Sequence, residues 1–571
     1  MSRQGTLRFK HIFLIRLVNA LTLSTFFQPD EYFQALEPAY QIAFGKGANV
    51  WMTWEWQHQL RSSLHPMLFA IPYIITDALC SAARIPLSIR SHMLLAAPYI
   101  LQAYIAAIGD WYTWKLAERV YGTDTPASTF TILLQLTNPW QFYISPRPFS
   151  NSLETTLTVA ALAHWPWQWH APTTVKENTK TAPINLTNLR IALLLAATAV
   201  LLRPTNIFIW LTVSLSVIST LRFTNIAVLA REALLCGSVA LAVSILADRY
   251  YFGFWTFPPY NWLYFNVSKS LAVFYGRHPW HYYLVQGIPL LCTTSLPFVV
   301  PALYRPRSPS SDSPSKTLIL RTLASTVFVT VATLSLIAHK EVRFIYPLLP
   351  ILSILGAPHA ASFFTARASS TSQSSRPQRV LRHKAHLAAG LTINIFLAGY
   401  LSYFHQRAPL KVLNFLRDDY EQRLVTSSPP ASDELFALFL MPCHSTPWRS
   451  HLIHPSLNAY ALSCDPPLHT QPNTPERINY MDEADRFYAQ PEHFLSQEIF
   501  NSTAAARIPR YIVGFEGIEP TLHSFFTSKA GSKFKITPRP AWSSNNGLFS
   551  EDWRRAGKVI VWATGHYDKP S

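Results

Sequence analysis

The stretch RFKHIFLIRLVNALTLSTFFQPDEYFQ, residues 8–34, sets the reading of the whole chain. Basic residues Arg8 and Lys10 precede an apolar run that Pro29 stops, and two adjacent acids, Asp30 and Glu31, stand at its exit. A basic start, an apolar body and a polar, aromatic exit describe a first membrane span rather than a soluble helix. The run contains Arg16 and has no small-residue cleavage site, so it reads as a retained span, not a cleaved signal peptide.

Similar apolar runs recur near 66–83, 92–113, 128–145, 155–167, 190–219, 227–247, 284–304, 320–338, 344–360 and 386–404. With the first run near 11–27 they make about eleven spans, several shorter than the ~20 residues of a perpendicular helix. The segment 190–219 carries Arg203-Pro204 inside it and reads as one kinked span or two short ones. Only 14% of the 571 residues are charged and 49% are hydrophobic, against about 25% charged in soluble domains. The mean hydropathy of +0.11 is low for a chain wholly in lipid. Residues 405–571, mixed and Pro-rich, account for that and read as a C-terminal α/β domain after a membrane body over 1–404.

The net charge of +17 reports topology. Its residues sit in loops: Arg3, Arg8 and Lys10; Arg305, Arg307, Lys316 and Arg321; Arg367, Arg376, Arg379, Arg382 and Lys384. That distribution marks cytoplasmic loops, and it forms no stripe beside stacking aromatics as nucleic-acid binding would need. The first exit loop, about 28–65, and the C-terminal domain then lie on the opposite, luminal face.

Cys80, Cys236 and Cys292 fall in apolar spans and read as inert. Cys443 and Cys464, both in the C-terminal domain, are candidates for a disulfide on an oxidising face. Sequons occur at Asn185, Asn266 and Asn501, the last being the candidate for N-glycosylation. No spacing of Cys and His suggests zinc. Asp30 and Glu31 lack a second ligand set, so no metal is expected.

Polar chemistry collects in four places. At 27–34, Pro29-Asp30-Glu31 reads either as a helix start facing the dipole's positive end or as a general base at the membrane boundary. At 248–283, Tyr275-Gly276-Arg277-His278-Pro279-Trp280-His281 offers ring faces and imidazoles suited to a sugar. At 338–344, His339, Lys340 and Arg343 lie between two apolar spans, where ionisable groups are costly and usually functional. They suit a phosphate or a salt-bridged hairpin tip. At 146–154, Ser150 and Asn151 read chiefly as a helix cap.

Pro-Asp-Glu-Tyr-Phe-Gln at 29–34, Phe-Tyr-Gly-Arg-His-Pro-Trp-His at 274–281 and His-Lys-Glu-Val-Arg-Phe at 339–344 resemble the endoplasmic-reticulum mannosyltransferases of glycosyltransferase family 22. The resemblance covers nearly the whole membrane body. The tail motifs at 441–447 and 480–485 look like the branch that adds the third mannose to the glycosylphosphatidylinositol precursor. Gln28 stands where family members commonly have a His, so that position is not required for chemistry.

The resemblance implies a mainly α, GT-C-type fold with a luminal site, dolichyl-phosphate mannose as donor, no cofactor, and an inverting transfer. It implies Asp30 as base with Glu31 supporting it. His339, Lys340 and Arg343 become candidates for the donor phosphate, and His278, Trp280 and His281 for the sugar. Arg203 is a further basic residue that can reach the cavity. From a different class, a lipid transporter or scramblase also fits a polytopic chain, but no internal repeat supports it.

Overall fold

Proline and glycine decide where the apolar runs stay continuous. The computed structural model describes residues 8–170, 185–218, 223–269, 271–307, 314–367, 379–426, 430, 434–471, 474–501 and 508–567. Among the described residues seven helices are long and apolar enough to cross a membrane, over Leu64–Ala82, Leu87–Tyr121, Asn225–Phe252, Tyr283–Tyr304, Ser315–Ser335, Val342–Phe364 and Lys384–Val425. They coincide with seven of the expected spans. The other four expected spans are shorter or broken. The first is the 14-residue helix Phe9–Thr22, and 155–167 is Ser150–His164. The run 128–145 breaks at Asn138-Pro139, where the Asn138 side chain accepts the Gln141 N–H and donates to the Leu291 carbonyl. The run 190–219 is two helices, Leu186–Leu202 and Ile207–Ile218, separated by a turn at Pro204–Asn206.

Side chains such as Leu79, Leu235, Leu246, Ile395 and Phe396 point outward, exposed, which is what hydrocarbon solvates. Inside, small residues let helices approach. A Cβ on Gly109 would stand 2.8 Å from the Thr156 hydroxyl, so the Leu87–Tyr121 and Ser150–His164 helices need glycine at their crossing. Arg16, anomalous in an apolar run, pairs with Asp110 at 2.6 Å, both fully buried. Gln135 and Gln141 donate to the other Asp110 oxygen. Every charge in that network is answered within the protein.

The short strands β1 (Thr365–Arg367) and β2 (Arg379–Leu381) pair antiparallel beyond the end of Val342–Phe364. After the helix Ala408–Val425 comes a five-stranded mixed sheet. Its strands are β3 (Leu435–Leu440), β4 (Ala459–Ala461), β5 (Pro509–Phe515), β6 (Arg539–Asn545) and β7 (Lys558–Ala563), in the order β4-β3-β5-β7-β6. Strands β4, β3 and β5 run parallel, and β7 is antiparallel to β5 and β6. The unbroken apolar run Leu-Phe-Ala-Leu-Phe-Leu of β3 fits a strand covered on both faces. One face, with Leu438, Ile512 and Trp562, packs on Phe487, Leu522 and Phe525. The other, with Phe436, Phe439 and Val513, shares a core with Phe26, Tyr32, Phe33 and Tyr40 of the first exit loop. The sheet is therefore built onto the loop that carries Asp30.

Candidate active site

Pro29 opens a single turn, Pro29–Glu31, followed by a π-type turn over Tyr32–Leu36 and the helix Glu37–Phe44. The helix-start geometry is real, but it sends the two acids to different surroundings. Glu31 is fully buried. It pairs with Arg147 at 2.9 Å and accepts the Tyr99 hydroxyl at 2.9 Å. Arg147 spends its remaining donors on the Tyr143 carbonyl and on the carbonyl and hydroxyl of Thr25, and lies 4.4 Å over the Tyr143 ring. Both side chains of that pair are fully buried and bonded to protein groups. Glu31 positions the loop.

Asp30 is one-fifth exposed and pairs with Arg343 at 2.6 Å. The second Arg343 terminal nitrogen meets Glu341 at 2.6 Å, and Glu341 meets His339 Nε2 at 3.1 Å. His339 Nδ1 lies 3.1 Å from the Gly276 carbonyl, which links this relay to the 274–281 segment. Burial pushes the Glu341 carboxyl up, but Arg343 and His339 overcome it and hold Glu341 at about 2. Burial opposes charge on His339, yet its bond to Glu341 leaves the imidazole above its ordinary 6.5. Arg343 Nε is buried without a hydrogen-bond partner.

Two more guanidinium groups converge. Arg203 lies 3.3 Å from Glu154, donates to the Ser150 hydroxyl, and stands 5.4 Å over Phe344. Arg343 stands 5.7 Å over the same ring. Arg61 is held by Glu55 at 2.8 Å, and Glu55 by Gln34. Arg61 and Arg203 are both close enough to feel the charges of Asp30 and Arg343. Arg61 and Arg203 both line a slot of about 30 Å³, together with Pro258, Pro259 and Trp262. Arg343 contacts the part-exposed Asp30 carboxylate, and Arg61 and Arg203 add positive charge near it, a combination of the kind that suits an anionic group.

Of the sequence candidates, Asp30, Arg343, His339 and Arg203 meet here. Lys340 does not present its ammonium to this cluster: it is buried and donates to the carbonyls of His278, at 3.0 Å, and Ile337. With the His278 N–H bonded to the Ala338 carbonyl, it laces the two loops together. Lys340 thus braces a hairpin tip through backbone carbonyls rather than through the salt bridge expected there. His278, Trp280 and His281 are exposed beside the cluster, with the His278 ring tilted against Tyr282 at 4.5 Å. The sequence reading missed Arg61, which sits in an unremarkable stretch just before a span. Arg147 lies in the 146–154 stretch, where the sequence reading singled out only Ser150 and Asn151.

It also missed His444. That side chain lies 4.4 Å from the Phe33 ring and 4.9 Å from Trp51, close enough to feel Asp30. Loss of water around the ring holds it at about 4, hence neutral. The neighbouring Cys443 is bonded to Cys464, with Sγ–Sγ 2.13 Å, and Cys80, Cys236 and Cys292 are free and buried. The Ser450 N–H donates to Glu37 and the Tyr40 hydroxyl to the Ile453 carbonyl, so residues 443–453 clamp the first loop. Asn501 is half-buried, while Ser502 and Thr503 of its sequon lie outside the described residues.

The fold is that of the GT-C class of membrane proteins. The chain superposes on crystal structures of ArnT from Cupriavidus metallidurans. With the undecaprenyl phosphate-bound form the TM-score is 0.55, covering 99% of this chain and 98% of that one at 12% identity. With the apo form it is 0.51 over 97% of each chain. The chain belongs to the Alg9-like mannosyltransferase family, whose model matches residues 7–453. It is thus a glycosyltransferase, and the match runs into the 443–453 clamp. A GPI mannosyltransferase 3 of Gibberella zeae is 57% identical over 98% of this chain and 95% of its own length. Proteins of that name from Aspergillus fumigatus and Candida albicans are 40% and 33% identical. They align over 96% and 97% of this chain, and over 76% and 97% of their own lengths.

Proposed function

We propose that this chain transfers mannose from dolichyl-phosphate mannose, in α1,2 linkage, to the second mannose of the glycosylphosphatidylinositol precursor. The reaction takes place at the luminal face of the endoplasmic-reticulum membrane. The observation that carries this reading is the part-exposed Asp30–Arg343 pair, with Arg61 and Arg203 beside it, in a chain whose relatives bear that name.

The chemistry is one displacement. The acceptor hydroxyl oxygen attacks the anomeric carbon while the bond from that carbon to the phosphate oxygen breaks. Inversion turns a β-linked donor into an α-linked product. Asp30 takes the hydroxyl proton. Dolichyl phosphate leaves with the electron pair, and Arg343, Arg203 and Arg61 neutralise it. An arriving phosphate competes with Asp30 for Arg343, so donor binding releases the base where it is needed. His339 and Glu341 keep Arg343 oriented during that exchange. The exposed His278, Trp280 and His281 are placed to meet the sugar or the headgroup region. The step as written uses no metal or cofactor.

The luminal assignment is supported by the far end of the Val342–Phe364 helix, where Arg307, Arg379 and Arg382 gather as cytoplasmic loops require. The test is complementation of cells lacking the third GPI mannosylation, with radiolabelled mannolipids as readout. Wild type is expected to restore the three-mannose lipid, and Asp30→Asn to leave the two-mannose lipid at equal expression. Failure of wild type with appearance of a longer N-glycan precursor would move the acceptor. A flux of lipid without transfer would move the class.

A further inference from the structure

A cavity of about 630 Å³ lies at the opposite end of the membrane body from Asp30. It is bounded by the Pro126–Thr137, Leu296–Tyr304, Leu349–Phe364 and Lys384–Tyr403 helices. Its volume is that of a small-molecule site, and the active-site account leaves it unused. Phe130, Leu133, Leu134, Phe298, Phe364 and Leu387 form its walls. Arg307, His359 and His386 stand in its lining, and among the described residues no carboxylate does. The Arg307 guanidinium donates to the Ser362 hydroxyl at 2.9 Å. The β1–β2 ribbon, which carries Arg379 and leads to Arg382, is tied to this end of the helix: the Arg382 backbone N–H donates to the Phe364 carbonyl and the Arg379 guanidinium to the Thr365 hydroxyl. An apolar slot with a cationic mouth selects an anionic amphiphile.

Position separates this slot from the donor site. Arg343 and Phe364 are the two ends of one helical run, and at ~1.5 Å per residue they stand roughly 30 Å apart, the thickness of the hydrocarbon layer. The cationic mouth therefore opens at the other leaflet. We propose that the slot is a binding site for one anionic phospholipid of the leaflet on the side of the basic loops. Its phosphate sits at Arg307 and the β1–β2 ribbon, and an acyl chain lies between Phe298, Phe364 and Leu387.

The site gives the Lys384–Tyr403 helix something to pack on. That helix buries only Asn394, Ala398 and Ser402, and it leads directly into the C-terminal domain that clamps the first loop. A lipid seated there acts as mortar between this helix and the body, distant from the chemistry.

The test uses purified full-length enzyme in phosphatidylcholine nanodiscs carrying a trace of photoactivatable phosphatidylserine or photoactivatable phosphatidylcholine. Labelled peptides are read by mass spectrometry. The anionic probe is expected to label residues 359–364 and 386–394 preferentially. Removing one cation with Arg307→Gln should cut the preference about fivefold, the equivalent of ~1 kcal/mol per basic residue. A Cβ on Gly390 would stand 3.9 Å from Thr294, so Gly390→Leu projects into the slot and should lower labelling roughly tenfold. Leu134→Trp, from the facing helix, is the second filling variant if the first folds poorly. Mannosyl transfer should persist in each. Equal labelling by both probes, or labelling indifferent to the filled slot, means ordinary surrounding lipid and overturns the proposal. Competition by dolichyl phosphate but not by phosphatidylserine would give the slot to the donor's chain and overturn it too.

Discussion

Asp30 and Glu31 are neighbours on one helical turn, and each pairs with an arginine from a distant part of the chain. Glu31 and Arg147 are both fully buried, and every bond they make ends on protein. Asp30 and Arg343 keep an exposed edge, leave Arg343 Nε unpartnered, and draw in two further arginines. A closed pair has spent its hydrogen-bonding capacity on holding the loop. An open one retains capacity for a ligand. Sequence adjacency says nothing about which acid is which, because a turn of helix swings consecutive side chains by about 100°.

Breaking the closed pair should damage the fold. Glu31→Gln leaves Arg147 charged and buried, a loss of about 3–5 kcal/mol. A fall in melting temperature and in yield is expected, with the activity per folded molecule nearly kept. Replacing both partners, Glu31→Gln with Arg147→Met, should recover part of that loss, which a thermal-shift series on detergent-purified protein will measure. If Glu31→Gln melts like wild type but does not transfer mannose, the two acids have been assigned the wrong way round.

The open side should respond in kinetics. Arg203→Gln and Arg61→Gln each remove one charge-assisted contact to the donor phosphate, and a rise in donor KM of roughly tenfold is expected for each. A fall in yield with donor KM unchanged would make these arginines part of the scaffold.

The smallest effect concerns pH. The folded pKa of His339 is raised above 6.5 by Glu341. Its contribution to stability is complete below about 6.5 and is lost as pH rises through the folded value. Between pH 6 and 9 wild type should lose about 1 kcal/mol or less relative to His339→Asn, which cannot charge. Parallel melting curves across that range would refute the bond's contribution. Glu341, held at about 2, stays ionised throughout.

Much of this was legible in residue order, for physical reasons. Apolar runs of sufficient length read as spans, and the seven long apolar helices coincide with runs visible in the sequence. The breaks at Asn138-Pro139 and Arg203-Pro204 are both Pro effects; the sequence reading marked the second and took 128–145 as one continuous span. The open pair joins residues 313 apart and the closed pair residues 116 apart, so both motifs could be read while their pairing could not. Lys340 was misleading because its partners are backbone carbonyls, which have no signature in sequence. His444 reaches the site only because the C-terminal sheet is built onto the first loop, a relation that composition cannot express.

The division between the two acids is tested most directly by the initial rate of mannosyl transfer by purified Asp30→Asn, with its melting temperature measured on the same sample. The account predicts a rate lower by roughly 10²–10⁴, the usual worth of a general base, with the melting temperature unchanged. A rate near wild type, or a rate that falls only in step with the melting temperature, would contradict it.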